Sequence, residues 1–296
     1  MGILDRFYDM QWWVAIRPHR QEAWLDTPME FQVLKNTWRY WCADPFAFDH
    51  NGKTYLFMEV LDKITQKGSI GYRVIENGKV SGIRICLHTG DHMSYPMIYE
   101  DNGEIYMIPE CFESKRLTVY RAVAFPDQWE PCETLPGEKV VCDTNYLAVD
   151  GQKYLLTMPL HGLPFQYDRL ELYVRRQGKW ESAACNPMTL GADRARNAGH
   201  FFRYDGGWIR PSQNCADSYG EAVNLNKVTK ISPEGYEEAP WKKITVADIR
   251  TDRGCFDGIH TLNHSRSYDV IDLRRLRSFQ FARLFFFIRS KLRRKS

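Results

Sequence analysis

One pattern recurs along the chain roughly every fifty residues, and it constrains the fold more than any other feature, because a repeat has to be built from like units packed on one another. Five segments read as strand, tight turn and strand: 44–60 (DPFAFDHNGKTYLFMEV), 95–111 (YPMIYEDNGEIYMIPEC), 143–160 (DTNYLAVDGQKYLLTMPL), 198–214 (AGHFFRYDGGWIRPSQN) and 258–273 (GIHTLNHSRSYDVIDL). The turn glycines Gly52, Gly103, Gly151 and Gly206 stand 51, 48 and 55 residues apart. Asn-Gly and Asp-Gly tips supply the positive φ of a tight hairpin, and the flanks are rich in the aromatic and β-branched residues that suit a pleated, half-buried surface.

Between the hairpins lie second strand pairs, 69–76 with 79–87, 117–124 with 128–135 and 170–176 with 179–184, and Trp129 and Trp180 mark two of the return strands. Four strands per repeat is the size of a propeller blade, and radial repetition removes the exposed sheet edges that an open all-β sheet would leave. The spacing therefore predicts an all-β chain, a five-bladed β-propeller over residues 1–272. One of the early strands, 12–18 or 29–36, is expected to complete the fifth blade. Helix-period stretches are almost absent before residue 272, which counts against an α/β fold.

Charge divides the chain at the same place. Residues 273–296 hold nine Lys/Arg and no Asp/Glu, which leaves 31 basic against 37 acidic residues before them. The acidic body argues against nucleic acid as a partner, since phosphate binding needs a basic surface to release counterions. The tail, LRRLRSFQFARLFFFIRSKLRRKS, is expected to form a short basic helix. Its apolar residues Leu284 to Ile288 fall all round a helical projection, so it reads as poor for packing one face on the body and suited to insertion among anionic lipid headgroups. Asp5 and Asp9 stand where a signal peptide would be basic and apolar, so the expected location is cytoplasmic, peripheral at the inner face of the membrane. Eight cysteines without a C-x-x-C pair read as reduced core residues.

In an antiparallel hairpin the start of the first strand and the end of the second share an edge. This brings to one rim Asp44 with Glu59, Tyr95 with Glu110, Asp143 with His161, His200 with Gln213, and His260 with Asp272. Carboxylates, imidazoles and amides around one axial mouth suit a sugar, on whose apolar faces Trp41, Tyr95 and Tyr219 could stack. Arg196 and Arg210 flank the fourth hairpin, where a guanidinium fork could hold a carboxylate or the phosphates of a sugar donor, or else brace the blade against Asp193 or Glu221. His88 and His92 have i, i+4 spacing but fall in a loop, so the helical reason to name them ligands is missing.

The motifs ADPFAF-x5-KTYLFMEV, HMSYPMIYEDNGEIYMIPE, FPDQWEP, CDTNY, DRARNAG and RPSQNC-x3-YG resemble the N-terminal propeller domain family of glucosamine inositolphosphorylceramide transferases. More distantly the chain is similar to five-bladed arabinanase, fructosidase and levansucrase propellers. In those hydrolases carboxylates open the inner strands of blades one, two and three. Asp44 and Asp143 match the first and third, while the second reads Ser94-Tyr95-Pro96, and Glu110 could take the missing role. Rim position, together with the match of Asp44 and Asp143 to those hydrolases, makes Asp44, Glu110 and Asp143 the expected catalytic residues and Glu59, Tyr95, Arg196, His200, Arg210, Gln213 and Tyr219 the expected substrate contacts. No cofactor is certain. A divalent cation in the central channel, which related propellers sometimes hold, is the one candidate, with His200 and His260 placed to face it. The expected function is a glycosyltransferase-type enzyme of cell-surface polysaccharide or glycolipid assembly, acting on a glycan, nucleotide sugar or lipid-linked sugar. The alternatives are an arabinanase-like glycoside hydrolase and a non-catalytic glycan-binding module.

Overall fold

The computed structural model describes residues 8–20, 25, 29–135, 140–162 and 166–293. Five sheets radiate from one axis as a five-bladed β-propeller. Strands Tyr40–His50, Lys53–Asp62 and Lys67–Glu76 make the first blade, with the short Lys79–Val80 and Arg84–Leu87 on its outer side. Met93–Asp101, Glu104–Cys111, Thr118–Ala124 and Gln128–Thr134 make the second. The third contains Val141–Val149, Gln152–Pro159, Arg169–Arg176, Lys179–Ser182 and Met188–Thr189. The fourth runs through Phe202–Tyr204, Gly207–Asn214, Ala222–Ser232 and Gly235–Ile244.

The hairpin tips have the chemistry expected of them. Asn51-Gly52, Asn102-Gly103, Asp150-Gly151 and Asp205-Gly206 all pair two successive positive φ values, the type I′ geometry whose twist matches that of the flanking strands. Apolar side chains fill the wedges between blades. One cluster joins Phe57 and Tyr72 of the first blade to Met97 and Met107 of the second and Leu155 of the third.

Ring closure differs from the expectation of a single N-terminal strand. Both Tyr8–Pro18 and Met29–Val33 enter the fifth blade, in the order Ile249–Thr251, Met29–Val33, Tyr8–Pro18, Tyr268–Phe279, Leu262–His264. Two strands are needed because the last hairpin contributes only the two innermost positions. Ile249–Thr251, arriving from the fourth blade, pairs in parallel with Met29–Val33 and covers the outer edge. The last strand continues past residue 272 to Phe279, opposite Tyr8, so part of the stretch expected as tail belongs to the blade. The helix is Phe281–Arg293, and among the described residues no helix is long and apolar enough to cross a membrane.

Closure is locked at the axis by Trp12. Its indole is buried and stacks on His260 at 3.7 Å between centroids with planes 12° apart. Gly220, at φ +67°, lies so close that a Cβ there would stand 2.5 Å from the indole. Replacing Trp12 with alanine should therefore lower the free energy of unfolding by about 3–5 kcal/mol in denaturant titration, a larger loss than truncation of the exposed Trp38.

Candidate functional site

Three inner strands begin with the same irregularity. Asp44, Tyr95 and Asp143 hold φ values of 49°, 45° and 47°, each inside a register shift, at Ala43/Phe46, Ser94/Met97 and Cys142/Asn145. These are β-bulges with a left-handed residue, a strained conformation for a side chain as large as tyrosine. A bulge removes its backbone N–H from the ladder, and here a carboxylate of the preceding blade accepts it. Asp272 Oδ2 takes the Asp44 N–H at 2.9 Å, Asp44 Oδ2 the Tyr95 N–H at 3.1 Å, and Glu110 Oε2 the Asp143 N–H at 3.2 Å. The ring of bulges thus draws acidic side chains to one end of the axis.

Asp44 lies within electrostatic reach of Glu59, Glu110 and Asp143 there, and Glu110 within reach of Asp143. Burial, then the charge of Asp143, pushes Glu110 up to about 8. Burial likewise raises Asp44 to about 7, assisted by Asp143 and Glu59 and opposed by His260. Arg196 supplies the counter-charge. Its Nε donates to Asp143 Oδ2, its terminal nitrogen stands 3.8 Å from Glu110, and its guanidinium lies over the Tyr219 ring at 5.2 Å. The partners weighed in the sequence, Asp193 and Glu221, are engaged instead by Arg194 and Lys243. A cleft of about 360 Å³ lined by Tyr167, Arg196, Cys215 and Tyr219 opens above.

Several expected contact residues are positioned differently. Arg210 does not reach the mouth. It is fully buried inside the fourth blade, where its guanidinium meets Glu238 at 2.6 Å and 2.7 Å and also donates to Asn197 Oδ1 and the Arg194 carbonyl. Tyr95 is not a stacking platform. Its buried ring crosses the channel, packs edge-on against Phe46, donates to Asn145 Oδ1 at 2.9 Å and accepts from the Gly199 N–H at 2.8 Å. Trp41 is buried likewise, in the core with Trp12 and Leu61. His200 packs edge-on against Phe46, deeper along the channel, and burial drives it down to about 3, which keeps it neutral. Gln213 is buried and donates to Asp143 Oδ2 at 2.8 Å, so it positions that carboxylate. Tyr219 is the exposed one of this group.

Among the described residues, Asp44, His260 and Asp272 form the metal-ligand type group whose atoms lie within 4.8 Å of each other. The donor set does not fit a cation. Asp272 accepts the N–H groups of Asp44, His260 and Thr261 and pairs with His260 Nδ1 at 2.7 Å, while Asp44 accepts the Thr261 hydroxyl and the Tyr95 N–H. Four donors thus fill the lone-pair directions of Asp272, which leaves the cluster without a second carboxylate to meet a metal, whereas Asp44 accepts only two and retains acceptor capacity.

The sequence profile described as "Glucosamine inositolphosphorylceramide transferase 1, N-terminal" matches residues 34–282. The chain belongs to this family. It is 31% identical over 247 residues to glucosamine inositolphosphorylceramide transferase 1 of Oryza sativa subsp. japonica, covering 80% of this chain and 32% of the rice protein. The Arabidopsis thaliana protein of the same name is 34% identical over 203 residues, 66% of this chain and 26% of that protein. The chain thus spans about a third of the length of these relatives or less. Among solved structures the fold is similar to a Coprinopsis cinerea GH62 α-L-arabinofuranosidase catalytic domain, with TM-score 0.59, 9% identity and coverage of 92% and 99%. It is also similar to the Podospora anserina α-L-arabinofuranosidase PaAbf62A, with TM-score 0.57, 10% identity and coverage of 80% and 91%. At such identities the likeness is one of fold.

In this family member the site includes residues that the sequence reading passed over. His92 Nε2 lies 3.2 Å from Glu59 Oε1, and although burial opposes its charge, Glu59 and the other nearby carboxylates raise it to about 9. Its signal was the His88/His92 pair, set aside for want of a helix. Asn197, the other omission, donates to the Asp143 and Leu156 carbonyls and accepts from Arg210, linking the mouth to the braced fourth blade.

Asp44, Glu110 and His92 all hold their protons more tightly folded than unfolded, so their stabilisation is lost as pH rises through about 7, 8 and 9. His200, held at about 3, binds fewer protons when folded, and its contribution is lost as pH falls from 6.5. The two carboxyls begin to lose this stabilisation near their unfolded values of 3.8 and 4.5 and together outweigh His200, so the melting temperature should decline from about pH 5 towards pH 9, and Glu110→Gln should flatten that decline. Arg210→Met, which strands the Glu238 carboxylate, should cost about 3–5 kcal/mol in chemical unfolding.

Proposed function

We propose that the chain is a sugar-handling enzyme that transfers a glycosyl group, at the mouth of its axial channel, in cell-surface polysaccharide or glycolipid assembly. The carrying observation is Glu110, a carboxyl held protonated at neutral pH beside the exposed edge of Arg196 and Tyr219. A proton at this position is available to a leaving or bridging oxygen, the task of a general acid. Asp44, raised to about 7, is ionised in part at neutral pH and serves as the base for an acceptor hydroxyl. Asp143 keeps Arg196 oriented and, through its charge, keeps Glu110 protonated. The Arg196 fork, extended over Tyr219, suits a phosphorylated sugar donor, and the Tyr219 ring suits the apolar face of a sugar. Membership of a family of N-terminal domains carried by transferases supports transfer over breakdown, and so does the absence of a carboxylate at Tyr95, where the resemblance leads one to expect a hydrolase residue.

The test uses the full chain with nucleotide-sugar donors and glycan or glycolipid acceptors, following nucleotide release, with aryl arabinofuranoside hydrolysis in parallel. Glu110→Gln reproduces the shape of the protonated acid without an acidic proton, so it should fold normally and lose at least about a hundredfold in turnover. Asp44→Asn should lose a comparable amount. Retention of full transfer by both variants would remove the proposed roles, hydrolysis without transfer would favour the glycosidase reading, and ligand binding with neither reaction would favour a glycan-binding module.

A further inference from the structure

Strand direction shows which face of the propeller carries the helix. Asp44 lies just inside the start of Tyr40–His50, so Trp38, two residues before that strand, stands at the mouth end. Glu59 lies near the end of Lys53–Asp62, so Lys63 leaves at the same end, where its ammonium is bonded to the Thr37 carbonyl at 2.8 Å. From Asp272 the last strand runs on to Phe279, roughly 20 Å further in the same direction. The helix Phe281–Arg293 therefore starts on the mouth side of the disc.

The helix is only partly docked. Contrary to the all-round projection, it does pack one side on the body, because Ala282 is buried, Arg283 pairs with Asp9 at 3.0 Å, and Phe286 stacks on Trp38 with planes 10° apart. Phe281 and Phe285, one turn apart, face outward at 74% and 57% exposure beside Trp38 at 63%. Other exposed aromatics, Phe112, Tyr167 and Tyr219, sit on loops at this same end, just beyond Glu110 and around Arg196. Of the remaining exposed large apolar residues, Leu276 and Phe287 belong to the last strand and the helix, and Ile85 and Val123 to outer strands. Exposed Lys35, Arg277 and Arg289 flank the apolar patch, and residues 273–296 contain no acidic residue.

We propose that the mouth face docks on an anionic lipid bilayer, with Trp38, Phe281 and Phe285 entering the headgroup boundary and the axial channel opening towards the membrane. Aromatic side chains between basic ones, on a helix too short to span, are the chemistry of an interfacial anchor, and the basic excess of the chain is concentrated in the segment 273–296 that carries them. A sugar carried on a lipid would then reach Glu110 and Arg196 from the bilayer. That last point rests on the transfer reading above, and the docking does not.

The test is co-sedimentation of the full chain with phosphatidylcholine vesicles containing phosphatidylserine, against phosphatidylcholine alone, over a salt series, with hydrogen exchange on the bound protein. Binding should need the anionic lipid and weaken with salt. Phe281→Asp with Phe285→Asp should lower partitioning at least about tenfold with an unchanged melting temperature, since both side chains are exposed. Glu110→Gln should bind vesicles normally, so that loss of turnover and loss of docking are read separately. Exchange should slow at the Trp38 loop, the helix and segments 112–116 and 216–220, and remain unchanged at the hairpin tips 50–53, 101–104 and 205–207. Equal binding to neutral vesicles, protection at the hairpin tips, or no binding together with a dimer that the double variant dissociates would overturn the proposal.

Discussion

The structure depends on pairing the backbone N–H groups that the left-handed bulges take out of the sheet. At the crowded axis water cannot be relied on to satisfy them, and a buried donor left unpaired costs about 1–3 kcal/mol. The preceding blade supplies each partner: Asp272 for Asp44, Asp44 for Tyr95, Glu110 for Asp143. The fourth blade follows the same logic with other groups, since the Gly199 N–H goes to the Tyr95 hydroxyl and the His200 N–H to Asn263. The first three blades are thereby stitched in sequence by acids, and the fourth is tied in by a tyrosine hydroxyl and an amide. The acidity of the mouth is a consequence of how the ring is held together, and its chemistry grows out of that.

Crowding then differentiates the acids. Asp143 receives the Arg196 guanidinium and the Gln213 amide, whereas Glu110 receives one N–H at 3.2 Å and a guanidinium nitrogen only at 3.8 Å. Charge concentrated on the better-paired partner is what keeps the proton on the other, a division of labour found wherever two carboxyls share a site. Trp12 contributes from the opposite end of the sequence. By stacking on His260 it fixes the imidazole between Asp272 and Asp44, so the strand that closes the ring also sets the electrostatics of its first bulge.

The blades were legible because their determinants are local: an Asn-Gly or Asp-Gly tip, alternating flanks, a fifty-residue period. The mouth was legible only to the level of the rim, since strand ends can be assigned from the hairpins while side-chain direction cannot. Arg210 shows why. Residues 209–214 are buried without alternation, because the fourth blade is covered on both faces, and no pattern says that this arginine turns along its own blade to Glu238. Tyr95 was hidden for a different reason. Left-handed positions are usually announced by Gly, Asn or Asp, and a tyrosine at φ 45° gives no such notice. The two-strand closure escaped because Ile249–Thr251 is too short to read as a strand and pairs in parallel with a segment far away in sequence.

Tyr95 also bears on how far the shared fold should guide the chemistry, since function belongs to a site and not to the scaffold that carries it. Where the resemblance to arabinanase-like propellers puts a second-blade carboxylate, this chain has a ring that closes the channel between Phe46, Asn145 and Gly199. Its backbone N–H, moreover, occupies one oxygen of Asp44. A ligand entering from the mouth meets Tyr219, Arg196 and Glu110 before it reaches Asp44, and the ring of Tyr95 bars it from passing through. The axis is therefore closed as a through-passage by a single side chain, and the polar groups that a ligand could meet are those of the mouth, Tyr219, Arg196 and Glu110.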